Sequence, residues 1–345
     1  MTVADVSVIL PVFRAEATVG RAIASALAQD RVGEVIVVDD ASGDGTVPLL
    51  HKIARSEPRV KIIELQSNGG PASARNRAID AGRLPWIALL DSDDVFLPGR
   101  LDRLGSLTGE MRADNIAFVT DSAALAGPFP PARGQENILK LEDFARGNLP
   151  GAGQRGELGF LKPLMNRAFL DRHGLRYDPS LRLGEDVDLY LRALAAGARF
   201  SVTADVGYAA LERPGSLSGQ HRTQDLSRLA RAQARILDRL SPEDPAQEAM
   251  GDLVRSTLRR FDHRTFLDVR RGQGTGAALR FLLADRARGR GVLADVLRDK
   301  RRGPVTEAEA IRYLLPVETS IDAGRSGGVN SPGSSRSVTR DAPGT

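Results

Sequence analysis

Four short apolar runs, three of them followed by a segment of helical period, constrain the first hundred residues more than any other feature. Val6–Val12 (VSVILPV) and residues 34–38 (EVIVV) are continuous β-branched runs. Runs of this kind are expected for strands buried on both faces, as in a parallel sheet. Residues 60–65 read as a third strand, and residues 87–90 (IALL) as a fourth. Between them, residues 17–28 place Val19, Ala22, Ile23, Ala26 and Leu27 at helical spacing. A second helix is expected from a cap at Thr46 to about Arg55, and a third over residues 72–81. Strands alternating with helices predict βαβ units and a doubly wound, mostly parallel sheet.

Ligands of such sheets bind beyond the carboxyl ends of the strands. Three of these ends carry polar, acidic or Gly-rich segments: residues 39–46 (DDASGDGT), 68–76 (NGGPASARN) and 91–94 (DSDD). The last is the most telling. Asp91, Asp93 and Asp94 repel one another, and a packed core does not take them unpaired. Their oxygens suit Mg²⁺ or Mn²⁺, or hydroxyls; a plain polar turn has the same composition. The first strand is not followed by G-x-G-x-x-G, which disfavours a dinucleotide site, and no Walker sequence is present. A second acidic pair, Glu185-Asp186, opens a helix whose buried stripe is Val187, Tyr190, Leu191 and Leu194 and which Gly197 stops. Acids at that place also simply complement the helix dipole.

Composition removes several function classes. The 345 residues are 41% hydrophobic and 27% charged, ordinary for a globular protein. There are no cysteines, so disulfides and thiolate metal sites are excluded, and a reducing compartment is consistent. The start has no basic segment of a signal peptide, and no apolar run reaches the roughly 18 residues of a membrane span. A cytoplasmic location is therefore expected. The net charge of +4 is too small to argue for nucleic acid, and 5% aromatic residues are few for a base-stacking surface.

Further along, residues 100–109 read as a helix, 116–120 as a strand, and 200–203 and 206–211 as two short strands. Residues 147–159 (GNLPGAGQRGELG) form a Gly-rich loop, either an acceptor-binding lid or a plain loop. Residues 225–300 are helical and Arg-rich. One apolar stripe there comprises Leu226, Leu229, Ala230, Ala234 and Leu237; Leu253, Leu258 and Phe261 belong to another, which Leu279, Phe281, Leu282, Leu283 and Leu293 continue. Its arginines are a solvated face or a surface attracted to anionic lipid headgroups, at roughly 1 kcal/mol per base. The Gly/Ser/Pro-rich tail is expected to be disordered. Three regions result: 1–222, 223–321 and 322–345.

The stretches VSVILPVFRAE, VIVVDDASGDGT, NGGPASARNRAI, WIALLDSDD and GEDVDLYLRALAAGARF, in this order, resemble the inverting family 2 glycosyltransferases of GT-A fold. RPGSLSGQHRTQDL and the Ala-rich stretch after GED resemble the succinoglycan-type exopolysaccharide glucosyltransferases. The resemblance implies that Pro11, Phe13, Glu16, Asp40, Gly69, Arg75, Asn76, Asp91 and Ser92 surround the nucleotide-sugar, with Asp40 at the uracil edge and Asp39 structural. It implies that Asp93, with Asp91, holds the metal. Asp186 is implied as general base and Glu185 as its supporting acid. Phe13-Arg14 departs mildly from the Tyr-Asn or Tyr-Arg usual there. Many relatives place an Arg-x-His near Arg213; here Pro214 follows, and either His221 substitutes from the loop or no histidine contacts the metal.

The resulting expectation is a Mg²⁺- or Mn²⁺-dependent enzyme. It would move a hexose, with UDP-glucose the best donor by resemblance, onto a saccharide carried by polyprenyl diphosphate at the cytoplasmic face of the membrane. The rivals are a non-catalytic scaffold of a polysaccharide assembly and a sugar nucleotidyltransferase of related fold.

Overall fold

The computed structural model describes residues 4–130, 134–150, 157–212, 222–301 and 311–316. The first half is the expected alternation: β1 (Val6–Val12), α1 (Val19–Leu27), β2 (Val32–Asp39), α2 (Thr46–Ser56), β3 (Val60–Glu64), α3 (Pro71–Ala81) and β4 (Trp86–Leu89). These four strands are parallel in the order β3-β2-β1-β4. The order reverses beside β1, so a crevice opens where the carboxyl ends of β1, β2 and β4 meet. The ends are in register: Asp40 N donates to Val12 O at 2.8 Å, and Leu90 N to Ile9 O at 3.2 Å. Val8, Ile9, Leu10 and the run Val35, Ile36, Val37 and Val38 are fully buried, as continuous apolar strands covered by helices on both faces must be.

The second half adds β5 (Val95–Phe96), α4 (Arg100–Ser106), β6 (Met111–Val119), β7 (Asn137–Leu139), α5 (Leu141–Gly147), β8 (Leu164–Asn166), α6 (Arg167–Arg172), α7 (Glu185–Ala195) and β9 (Phe200–Leu211). The sheet continues from β4 as β8-β6-β9-β5, with β8 antiparallel to both neighbours. The two short strands expected over residues 200–211 are one strand, β9, with a bulge where Val202 and Val206 pair with Ala113 and Asn115. A bulge breaks the side-chain alternation without ending the strand.

The helical region comprises α8 (Thr223–Leu237), α9 (Gln247–Ala284) and α10 (Arg286–Arg301). Gly274, at φ 83°, kinks α9. β10 (Ile311–Tyr313) then returns to pair antiparallel with β6. Ile236, Ala249, Met250 and Leu253 belong to the main core. The apolar stripe predicted beyond them is not wholly covered: Leu258, Leu279, Leu283 and Leu293 are exposed, while Leu282 is buried. Helical periodicity shows that a face is apolar but not that a neighbour exists to cover it.

One buried ion pair locks the second half. Arg100 and Asp114 are both fully buried, with Arg100 Nη2 donating to Asp114 Oδ1 at 2.8 Å and to the Lys162 carbonyl at 2.6 Å. The guanidinium also lies 4.6 Å from the Phe96 ring centroid and 5.2 Å from that of Tyr208. Asp114→Asn is expected to lower unfolding free energy by about 3 kcal/mol, because it strands a buried guanidinium. Urea titration with an unchanged denaturant slope measures this.

Candidate active site

At the end of β2, two adjacent aspartates do different work. Asp39 accepts the Ser42 hydroxyl at 2.5 Å and the Ser42 N–H at 3.0 Å, closing a turn in which Ala41 takes φ 60°. Asp40, almost wholly buried, accepts the N–H groups of Gly69 and Gly70, both at 2.8 Å. It therefore holds the Gly-rich loop that opens α3, where Gly70 at φ 84° occupies a conformation few side chains tolerate. Pro11 sits near the end of β1 opposite Val38, and Phe13 and Glu16 are exposed at the same rim. Ser42 also accepts the Arg14 N–H at 2.9 Å, which fixes the loop after β1.

The centre of the crevice is a charge cluster. Arg75, on α3 and buried, donates to Asp91 Oδ1 at 2.8 Å and Glu185 Oε1 at 2.9 Å, and lies 3.6 Å from Asp186 Oδ1. Lys162 Nζ lies 3.0 Å from Asp91 Oδ2 and 3.0 Å from Asp186 Oδ2. Asp91 and Asp186, far apart in sequence, thus share two cations. Burial alone would push the Asp91 carboxyl up, but the charges of Lys162 and Arg75 overrule it and hold the group well below the usual carboxylate range. Burial would likewise lower Lys162, and Asp186 and Asp91 reverse that, raising it above the ordinary lysine value. The ammonium stays charged.

Positioning is built in layers. Asn76 clamps Tyr177 by two hydrogen bonds, donating to its carbonyl at 2.8 Å and accepting its N–H at 2.9 Å. The Tyr177 ring then sits 5.3 Å from the Arg75 guanidinium carbon. Glu185 and Asp186 open α7 after Gly184, at φ 71°, where any side chain would also meet Leu229 of α8. The segment carrying Lys162 is held on both sides: the Tyr190 hydroxyl donates to the Leu161 carbonyl at 2.9 Å, and Arg100 holds the Lys162 carbonyl.

Beyond Asp91 the chain turns. Ser92 and Asp93 are partly exposed there, and Asp94 is buried. Asp94 accepts the Tyr208 hydroxyl at 2.7 Å and the Leu211 N–H at 3.0 Å, tying the turn to β9. Burial, with Asp91 and Asp93 nearby, pushes the Asp94 carboxyl well up. The Tyr208 hydroxyl in turn accepts the Asp91 N–H at 3.1 Å.

Lys162 was not among the residues singled out from sequence. In FLKPLMNRAF it reads as a lone base in an apolar run, and only its place before β8 marks it. Arg213 and His221 lie outside the described residues, as do residues 151–156 of the Gly-rich loop and the tail from 322.

Among the described residues, no three His, Cys, Asp or Glu side chains converge as a closed metal cage. The donor chemistry fits a hard cation, because the carboxylates of Asp91 and Asp93 are both partly exposed beside the crevice, although Arg75 and Lys162 hold the two Asp91 oxygens. Mg²⁺ bound to a substrate diphosphate needs only one or two protein carboxylates.

The profile of the family described as Glycosyl transferase family 2 matches residues 7–147. The chain is 43% identical over 300 residues to the succinoglycan biosynthesis protein ExoU of Rhizobium meliloti, covering 86% of this chain and 88% of that protein. It belongs to glycosyltransferase family 2. Over 115 residues, 33% of this chain and 44% of the relative, it is 35% identical to WfgD of Escherichia coli, a UDP-Glc:α-D-GlcNAc-diphosphoundecaprenol β-1,3-glucosyltransferase. The mannosyltransferase PcManGT of Pyrobaculum calidifontis, solved with GDP-mannose and Mn²⁺, superposes with a TM-score of 0.52 at 17% identity. The superposition covers 88% of this chain and 82% of that one, and shows the shared GT-A fold.

In this family 2 glycosyltransferase, Lys162→Met removes one of the two cations between Asp91 and Asp186. A loss of about 2–3 kcal/mol is expected, at or below the range for a broken buried pair because Asp91 keeps 28% of its side-chain surface in water. Lys162→Arg should recover most of it. Paired chemical unfolding curves check both.

Proposed function

We propose that this glycosyltransferase moves a hexose from a UDP-sugar, UDP-glucose first among them, to a saccharide on polyprenyl diphosphate in exopolysaccharide synthesis. The transfer takes place at the cytoplasmic face of the membrane, with inversion at the anomeric carbon. One observation carries the reading: Arg75 and Lys162 bring Asp91, at the donor end of the sheet, and Asp186, at the start of α7, onto the same pair of cations. The kinship to ExoU and WfgD supports the pathway, the donor and the lipid-linked acceptor.

The nucleotide would lie across the ends of β1 and β2, where Pro11, Phe13, Glu16 and the Gly69 loop held by Asp40 form the donor side, with Ser92 beside it and Asp91 toward the ribose. Arg213, outside the described residues, is assigned to the donor side by family resemblance alone. Asp93 and Asp91 are the residues that would hold Mg²⁺ or Mn²⁺, with His221 a further candidate ligand. When bound, such an ion neutralises the departing diphosphate as a Lewis acid.

Asp186 takes the proton of the acceptor hydroxyl as that oxygen attacks. An alcohol is too weak an acid to lose it unaided near neutral pH. Lys162 holds Asp186 Oδ2, and the proton is assigned to Oδ1, which accepts no hydrogen bond and faces the Arg75 guanidinium at 3.6 Å. Glu185, held by Arg75, keeps the first turn of α7 in place. Attack from the Asp186 side and departure toward Asp91 and Asp93 invert the anomeric centre.

UDP release from UDP-glucose with Mn²⁺ or Mg²⁺, together with calorimetric titration of UDP, tests the assignment. Asp186→Asn is expected to bind UDP as wild type does and to lose transfer by about 10²–10⁴-fold. Asp93→Ala, or chelation of the metal, is expected to abolish metal-dependent UDP binding. Loss of UDP binding in Asp186→Asn contradicts the base assignment. Wild-type protein that neither binds UDP nor releases it from any UDP-sugar contradicts the donor class.

A further inference from the structure

We infer that the distal hairpin, formed by α9 beyond the Gly274 kink and by α10, is a docking surface for an anionic lipid bilayer. This rests on the membrane-linked acceptor proposed above and gives that reading a physical attachment.

The hairpin does not need its outer leucines to fold. Phe266, Ala278, Leu282 and Val292 form a small core of their own, separate from that of the catalytic sheet. Outside it, Leu279 is 55% exposed, Leu283 78%, Leu293 48% and Leu297 54%. Single exposed leucines are ordinary, but two pairs at i,i+4 spacing on adjacent helices form repeated apolar stripes.

Charge selects the occupant. In α10, Arg286 and Arg290 continue the stripe of Leu293 and Leu297 at helical spacing. Arg270, Arg271 and Arg280 flank the kink, and all five of these arginines are exposed. Among the described residues none of the five is paired with a carboxylate, whereas Arg255 and Arg259, nearer the catalytic domain, pair with Asp252 and Asp295. Unpaired arginine beside exposed leucine matches an interface with anionic headgroups above acyl chains. No described helix is long and apolar enough to cross a membrane, so attachment is to the surface.

The test is flotation of the full chain with vesicles of phosphatidylcholine alone and of phosphatidylcholine mixed with phosphatidylglycerol. Wild type is expected to float with the mixed vesicles and not with the neutral ones. Each arginine replaced by glutamine lowers partitioning about fivefold, so Arg286→Gln with Arg290→Gln lowers it roughly 25-fold. Arg286→Lys with Arg290→Lys should retain it. Leu279→Ser with Leu283→Ser should also release the protein. UDP binding, measured on every variant, is expected to be unchanged, which separates lost docking from lost folding.

The inference is overturned if wild type stays with the soluble fraction, or if it floats equally with neutral vesicles. It is also overturned if the leucine variants convert a dimer to a monomer in sedimentation, which would mean that a second copy covers this face. Wild type that floats but binds no UDP leaves the surface standing and removes the donor assignment instead.

Discussion

Gathering carboxylates at one end of a buried sheet is electrostatically unfavourable, and the two cations between Asp91 and Asp186 answer it. Arg75 comes from α3 in the parallel half of the sheet, and Lys162 from the segment before β8 in the mixed half. Each touches an acid at the end of β4 and an acid at the start of α7. The cluster therefore joins the two halves of the fold at the same place where the proposed chemistry would be assembled. Buried pairs of this kind add little net stability over apolar packing, but removing one member is expensive. The arrangement of the site and the integrity of the sheet are consequently difficult to separate.

Surroundings, more than residue type, determine what each acid does. Asp91 and Asp94 stand three positions apart and are driven in opposite directions. Two cations hold Asp91 ionised. Burial and the neighbouring Asp91 and Asp93 raise the Asp94 carboxyl against the opposing hydrogen bonds from Tyr208 and Leu211, so its proton is retained to higher pH. A protonated or strongly hydrogen-bonded Asp94 can anchor the turn to β9 without adding a further full negative charge beside Asp91. Asp93, between them and partly exposed, is left at the crevice mouth. At the end of β2, Asp39 and Asp40 divide similarly between closing their own turn and holding the loop of Gly69 and Gly70.

Much of this was legible in the chain. Continuous apolar runs and helical spacing mark the four parallel strands and their helices because both periods are local. The acids at positions 91–94 and 185–186 stand out because carboxylates at strand and helix ends demand partners. Lys162 did not stand out. Its role depends on a carbonyl clamp from Arg100 and on α7 folding over it, contacts that no local pattern encodes. The same limit explains Asp40, whose carboxylate is bound by backbone N–H groups that leave no side-chain signature. It also explains β9, where one bulge reads as a gap between two strands.

The C-terminal helices divide along their own length. The first part of α9 packs against α5, and α8 packs at Gly184 under the catalytic helix, so Ala249, Met250 and Leu253 share the catalytic core. β10 returns to the sheet edge beside β6 and anchors the far end of the excursion. Between these two anchors the chain leaves the sheet, kinks at Gly274 and builds a separate small core around Leu282. Stabilising the catalytic sheet accounts for the anchors, not for the excursion. The exposed leucines outside that core carry a hydration cost that neither fold nor catalysis offsets. A surface that recovers this cost on meeting a bilayer would hold the crevice beside the membrane, where the proposed lipid-linked acceptor would be presented.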